Sequence, residues 1–280
     1  MQIIHDPKEL QLKALELKRA GKTIGLVPTM GYLHAGHLSL IDIARKEADI
    51  VIVSIFVNPT QFGPNEDLAQ YPRNFERDSK LCDEHHTDII FAPPPGAMYP
   101  ANHSVWVEEI SLSRKLCGLS RPIHFRGVTT VVAKLFHLSL ADVAVFGQKD
   151  AQQALIIRRM VRDLDFPIRI ITAPLVRDED QVALSSRNAY LSPAERERAR
   201  ILSQSLFAAR EAIRNGTPIP QVKQTITNAI SNKADKVDYV EIYDSETLED
   251  PSSDTSEVLI ALAAFFGKTR LIDNLLVSLK

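Results

Sequence analysis

The sequence predicts an α/β fold: a Rossmann-like parallel sheet with helices on both faces, followed by a smaller C-terminal α+β domain. Three observations carry this. Between Thr23 and Val176, apolar runs of strand length alternate with amphipathic segments, the βαβ rhythm that calls for a parallel sheet with right-handed crossovers. The strand runs are continuously apolar and β-branched, as in "DIVIVSIFV" over 49–57, which marks strands covered on both faces. After Val176 the order changes to helices first and strands afterwards. The expected domains are therefore 1–176 and 177–280.

Each element has a local reason. Asp6-Pro7 reads as an N-cap with proline in the first helical turn, and Gly21 as the stop of an N-terminal amphipathic helix. "TIGLVP" (23–28) is the first buried strand, "HLSLIDIARKEA" (37–48) a helix, and 49–57 the next strand. The turn-rich stretch 58–73 predicts a long loop, and 75–86 a helix. A short strand "DIIFAP" and a proline turn at 93–95 follow. Then come a helix over 126–140, a strand over 142–147, a helix over 150–164 and a strand over 168–176. In the second half, Ser192-Pro193 opens one long charged helix that Gly216 closes, and a helix near 221–232 precedes three strand-like runs.

Composition narrows the function. Lys and Arg total 33 against 35 Asp and Glu, with no lysine-rich run, so nucleic acid is not an expected partner. Two cysteines, Cys82 and Cys117, cannot build a disulfide framework. No apolar stretch is long enough to cross a bilayer. A soluble cytoplasmic protein is the expectation.

The chemistry concentrates in "PTMGYLHAGH" (28–37), where the first strand feeds the next helix. Open α/β sheets bind ligands outside the carboxyl ends of their strands. His34 and His37, three residues apart, face one side of a helix start. Unpaired amides and the helix dipole there favour an anion, and Gly36 permits close approach to the backbone. The pair suits a polyphosphate, with each imidazole a neutral donor or, when protonated, a cation. Zinc would need more ligands at standard spacing than this pair supplies. Histidines that merely cap a helix are the structural alternative. Neither G-x-G-x-x-G nor G-x-x-x-x-G-K-[ST] occurs.

Other predicted strand ends add complementary groups. Asn58 and Gln61 follow one strand; Gly147, Gln148, Lys149 and Asp150 follow another, with Gln153 in the next helical turn. Lys149 is placed as a point charge for phosphate. "ALSSRN" offers Ser185, Ser186 and Arg187 at the edge of the second domain.

Five segments in order, "VPTMGYLHAGHLSL", "SIFVNPTQFGPNEDLAQYPR", "HFRGVTTVVAKLF", "FGQKDAQQ" and "LSSRNAYLS", closely resemble the pantothenate synthetase (pantoate–β-alanine ligase) family. That family lies within the HIGH-motif nucleotidyltransferase-like superfamily, and the likeness runs from Ile3 to "RLIDN". The resemblance implies ATP-dependent condensation of pantoate with β-alanine through a pantoyl adenylate, releasing AMP and pyrophosphate, with Mg2+ accompanying ATP. It implies that Met30, Gly31, Tyr32, Leu33, His34, Ala35, Gly36 and His37 line the ATP site. His37 would be the proton donor or charge stabiliser of the leaving pyrophosphate, alongside His34 and Lys149. Gly147, Gln148, Lys149 and Asp150 would also hold ATP, with Val176 on its adenine or ribose. Leu184, Ser185, Ser186 and Arg187 would close over the triphosphate. Gln61 and Gln153 would bind pantoate, Asn58 would support that pocket, and Asp78 would contact Mg2+. A homodimer through the N-terminal domain and a C-terminal lid are also implied. Cys117 and Gln181 depart from the family pattern, which has glutamate and glycine there.

Three other functions fit parts of this pattern. A nucleotidyltransferase moving AMP onto a phosphate would want more cations in place of Gln61 and Gln153. A fragment of an aminoacyl-tRNA synthetase would want a basic face. A non-catalytic ATP-binding protein would not need His34, His37, Lys149 and Arg187 together.

Overall fold

The computed structural model describes residues 1–64 and 66–279. The chain forms two compact units, one of residues 1–113 and 121–174, the other of 114–120 and 175–280. The excursion of 114–120 into the second unit had no signal in the sequence.

In the first unit the elements run β1 (Gln2–Ile4), α1 (Pro7–Arg19), β2 (Ile24–Thr29), α2 (Ala35–Glu47), β3 (Ile50–Ile55), α3 (Phe75–Glu84), β4 (Ile89–Phe91) and α4 (Pro95–Met98). After the one-turn helix α5 (Cys117–Ser120) of the second unit come α6 (His124–Ser139), β5 (Val143–Gly147), α7 (Ala151–Asp163) and β6 (Arg169–Ala173). The sheet has the order β1-β4-β3-β2-β5-β6, and every pairing is parallel. Strand β1 corrects the reading of the N-terminus as helix alone.

Side chains alternate between two apolar layers, as strands covered on both faces require. Leu26, Ile52 and Ala144 pack with α1, α6 and α7. Val27, Val53 and Val145 pack with Leu40, Ile41 and Ala44 of α2 and Cys82 of α3. Helices α2 and α7 thus lie on opposite faces, the consequence of right-handed crossovers running outward in both directions from β2 and β5.

That reversal between β2 and β5 is the switch point where a ligand crevice opens. Pairing along β2–β3 covers six residues, whereas β2–β5 pairing is confined to Gly25↔Val143 and Leu26↔Ala144. Pro28 has a part in this. The Ile24 carbonyl accepts from the Asp142 amide at 2.8 Å, so the backbone of residues 24, 26 and 28 is directed to the β5 side. A proline there has no N–H to offer a neighbour, which is tolerable only where pairing has ceased.

The second unit contains α8 (Pro193–Ala199), α9 (Ile201–Arg214), α10 (Ile219–Ser231) and the antiparallel strands β7 (Lys236–Asp244), β8 (Glu257–Phe266) and β9 (Thr269–Ser278). Its core joins Leu202, Leu206, Val222 and Ile226 to Ile242, Ile260 and Leu262. The single charged helix predicted from Ser192 is broken at Arg200 into α8 and α9. No helix among the described residues is long and apolar enough to cross a membrane.

Candidate active site

The turn from β2 to α2 is built on two consecutive left-handed residues, Gly31 (φ 82°) and Tyr32 (φ 52°). The first is free of penalty in a glycine; the second strains an L-residue and must be held by its surroundings. Thr29 Oγ1 donates to the Ser54 carbonyl at 2.7 Å and accepts the Gly31 amide at 3.2 Å. Asp78, 1% exposed, accepts the amides of Tyr32 at 2.7 Å and Leu33 at 2.8 Å.

His34 is the N-cap of α2 with extended backbone, and its side chain makes no capping hydrogen bond. Its carbonyl takes the amides of His37 and Leu38 at 2.8 and 3.1 Å. The two imidazoles lie side by side, ring centroids 4.0 Å apart and planes inclined by 31°. The Nδ1 atoms of both are buried and find no hydrogen-bond partner among the described residues. Histidines serving only as helix caps would have spent these atoms on the backbone.

Lys149 completes the group from the carboxyl end of β5, in the short 3-10 turn Gln148–Asp150 that enters α7. Its charge reaches both imidazoles. Burial, then Lys149, lowers the pKa of His34 from 6.5 to about 4. Burial, then His34, then Lys149, hold His37 well below the ordinary value. Both shifts favour the neutral imidazole in the absence of ligand. Asp150 lies 3.7 Å from the Lys149 ammonium and offsets part of its charge.

Gln61 forms the adjoining wall. It closes the 3-10 turn Pro59–Gln61 and is 8% exposed. Its side-chain oxygen accepts from Asn58 Nδ2 at 3.0 Å, and its Nε2 lies 3.1 Å from Met30 Sδ. The β3 loop thereby meets the β2 loop directly. The Gln61 carbonyl accepts from His124 Nδ1 at 3.0 Å and from Arg121 at 3.1 Å. Burial, then Arg121, pushes His124 down to about 3, so it is the neutral Nδ1–H tautomer. Arg121 is itself gripped by Glu66, with two contacts of 2.6 Å.

Two of the expected site residues are buried. Asn58, expected to support the pantoate pocket, is 1% exposed: its amide nitrogen serves Gln61 and the Gly127 carbonyl (3.1 Å), and its oxygen serves Thr60. It positions Gln61. Asp78, expected on Mg2+, is sealed beneath the β2–α2 turn with both oxygens on amides. No group of three His, Cys, Asp or Glu among the described residues could hold a metal.

Gln153 sits half-buried in the first turn of α7, beside Gln152, which is buried and donates to the Leu112 carbonyl at 2.8 Å. Val176, Leu184, Ser185, Ser186 and Arg187 belong to the second unit. There the Leu184 amide donates to the Val176 carbonyl at 3.1 Å across a small hairpin with the bridge Arg177↔Ala183. Arg177 anchors the hairpin to Asp273 through contacts of 2.6 and 2.9 Å. Ser185 then caps a 3-10 turn by accepting the Arg187 amide at 3.2 Å.

The supports that sequence reading missed are Thr29, Glu66, Arg77 and Gly127. Gly127 carried the clearest signal, a glycine inside a helix pattern. An added Cβ there would lie 2.5 Å from the Thr60 carbonyl oxygen.

Comparison with known proteins agrees with this geometry. The family model described as pantoate-beta-alanine ligase matches residues 2–276. The pantothenate synthetase of Thermotoga neapolitana is 52% identical over 276 residues, covering 98% of this chain and 99% of that protein. The pantothenate synthetase crystal structure from Thermus thermophilus superposes with a TM-score of 0.93 at 43% identity, covering 98% and 99% of the two chains. The Francisella tularensis pantoate-beta-alanine ligase, crystallised complexed with beta-gamma ATP and beta-alanine, gives a TM-score of 0.81 at 33% identity, covering 99% and 97%.

Proposed function

The chain belongs to the pantoate–β-alanine ligase family, and from that premise we propose that it works through a bound pantoyl adenylate. The overall reaction is the ATP-dependent ligation of pantoate to β-alanine. In the first step a pantoate carboxylate oxygen attacks the α-phosphorus of ATP, and the bond to the bridging oxygen breaks to release pyrophosphate. In the second, the β-alanine amine attacks the acyl carbon, loses a proton, and AMP departs.

The observation that carries the reading is the convergence of His34, His37 and Lys149 at the carboxyl ends of β2 and β5, at the sheet's switch point. Residues Met30 to His37 and Gly147 to Asp150 hold ATP. His37, assisted by His34 and Lys149, donates to the pyrophosphate as charge develops on it. Gln61 and Gln153 orient pantoate without adding charge. Val176 and Leu184 to Arg187 are the remaining residues proposed to bind the nucleotide. Mg2+ enters with the phosphates of ATP as part of the substrate and cancels charge there, so no ligand set is assigned to this chain. A cytoplasmic location and a homodimer complete the reading. The exposed apolar residues Val105 (72%) and Ile110 (62%) support a dimer contact on the first unit.

Incubation with ATP, Mg2+, pantoate and β-alanine yields AMP, pyrophosphate and pantothenate; ADP and phosphate would mean an acyl phosphate instead. Pantoate-dependent exchange of labelled pyrophosphate into ATP, without β-alanine, isolates the first step. His37→Ala and Lys149→Ala abolish the exchange while remaining folded. Near wild-type exchange in either variant refutes the site assignment.

A further inference from the structure

We propose that Asp78 and Arg77, consecutive residues in the first turn of α3, are positioning residues that preset the Gly31–Leu33 turn for nucleotide. The proposal rests on the reading above that this turn and the start of α2 hold ATP. Asp78 takes the amides of Tyr32 and Leu33 from beneath, while Arg77 Nη1 donates to the Leu33 carbonyl at 2.8 Å. The Arg77 guanidinium also lies 5.6 Å from the centroid of the Tyr32 ring. One helix turn thus grips both polar groups of Leu33, the residue immediately before the α2 N-cap.

The grip answers a specific need. Tyr32 has a left-handed backbone, which an unaided L-residue leaves for the α or β region. A carboxylate accepting two adjacent amides compensates for that conformation with charge-assisted hydrogen bonds. Gly31 fits the same arrangement, since a Cβ there would come within 3.1 Å of Asp78 Oδ2 and of Ile55 Cγ2. With the turn preset, His34 enters α2 as its N-cap and both imidazoles share one side of the helix start. Without it, ATP would have to order the turn on binding, and that ordering subtracts from affinity.

Asp78→Asn leaves one amide facing an NH2 group in place of an acceptor. The expected result in pantoate-dependent exchange is a KM for ATP raised about ten- to hundredfold. The KM for pantoate stays within about twofold and kcat at saturating ATP within about threefold, because reacting groups are not removed. Arg77 is half-exposed, so Arg77→Gln folds whatever the fate of Asp78→Asn, and it raises the KM for ATP about three- to tenfold. An unchanged KM for ATP in Arg77→Gln, or parallel rises for ATP and pantoate in either variant, overturns the proposal. So does a defect of Asp78→Asn that excess Mg2+ repairs, which would make Asp78 a metal ligand. Absence of exchange in the unmodified protein would instead defeat the functional reading itself.

Discussion

Gly127→Ala tests whether the position of Gln61, rather than its presence, sets the pantoate step. In the structure an alanine Cβ at 127 would stand 2.5 Å from the Thr60 carbonyl oxygen, 2.6 Å from its carbon and 2.7 Å from the Gln61 nitrogen. These are backbone atoms, so no side chain can rotate aside. Restoring ordinary contact at 3.4 Å moves the Pro59–Gln61 turn by about 0.9 Å. The Gln61 carbonyl then shifts against His124 and Arg121, and its side chain against Asn58. Misplacing a substrate-orienting group by about 1 Å costs on the order of a hundredfold in rate, and overpacking costs about 1–3 kcal/mol of stability. The expected outcome is a kcat/KM for pantoate about a hundredfold down in pyrophosphate exchange, with a melting temperature lower by a few degrees. Gly96→Ala is the control, because a Cβ there meets nothing within 4 Å. A folded Gly127→Ala protein retaining kcat/KM for pantoate within about threefold of wild type refutes the link between this packing and substrate orientation.

Other consequences can be measured directly. The folded pKa of His34, about 4, lies below the 6.5 of an exposed imidazole, so the unfolded chain binds the extra proton first. Stability present above pH 6.5 is lost as pH falls toward 4, by about 2 kcal/mol at pH 5 from this residue; denaturant unfolding at pH 7.5 and 5 showing equal stability would contradict this. Replacing Lys149 by Met removes a charge that depresses both rings, so imidazole resonances followed by NMR titrate at higher pH in Lys149→Met, and unshifted midpoints would place Lys149 outside the group. Gln181 is exposed with φ 68°, and Gln181→Gly raises unfolding free energy by about 0.5–1 kcal/mol by removing the left-handed penalty; a destabilised variant would mean that the side chain itself holds the hairpin.

The parallel sheet was legible because its signals are local. Each strand is a bounded apolar run, and each intervening helix shows its own period. Strand β1 escaped because three residues beside an amphipathic helix pattern carry no period of their own; its pairing with β4 across Ile3↔Ile90 is a tertiary fact. The break at Arg200 escaped for a related reason. Nothing in "SPAERERARILSQSL" interrupts helical propensity, yet two helices result.

The candidate site divided along the same line. His34 and His37 are neighbours in sequence, so a strand-to-helix turn was enough to pair them, and Lys149 followed from the rule that strand ends converge. The residues that hold these groups in place lie far away in the chain. Asp78 is 46 residues from Tyr32, and Gly127 is 69 from Asn58. A carboxylate bonded to distant amides has the same sequence signature as one offered to a metal. The partners of Asp78, the amides of Tyr32 and Leu33, come into view only with the fold.

The electrostatics give the arrangement its logic. Without ligand the crevice holds two neutral imidazoles and one lysine partly offset by Asp150, so little fixed charge is available to grip an anion. The negative charge of a polyphosphate opposes the lysine contribution to that lowering and so favours the protonated ring, while the larger contribution of burial stays. Under the proposed reaction this opposition strengthens as negative charge accumulates on the departing pyrophosphate, so donation from the imidazoles would favour the transition state over the ground state. The pantoate side follows the same economy of charge. On the proposed reading Gln61 meets pantoate with an amide held by Asn58, whereas a fixed cation there would stabilise the attacking carboxylate before it reacts and raise the barrier it has to cross.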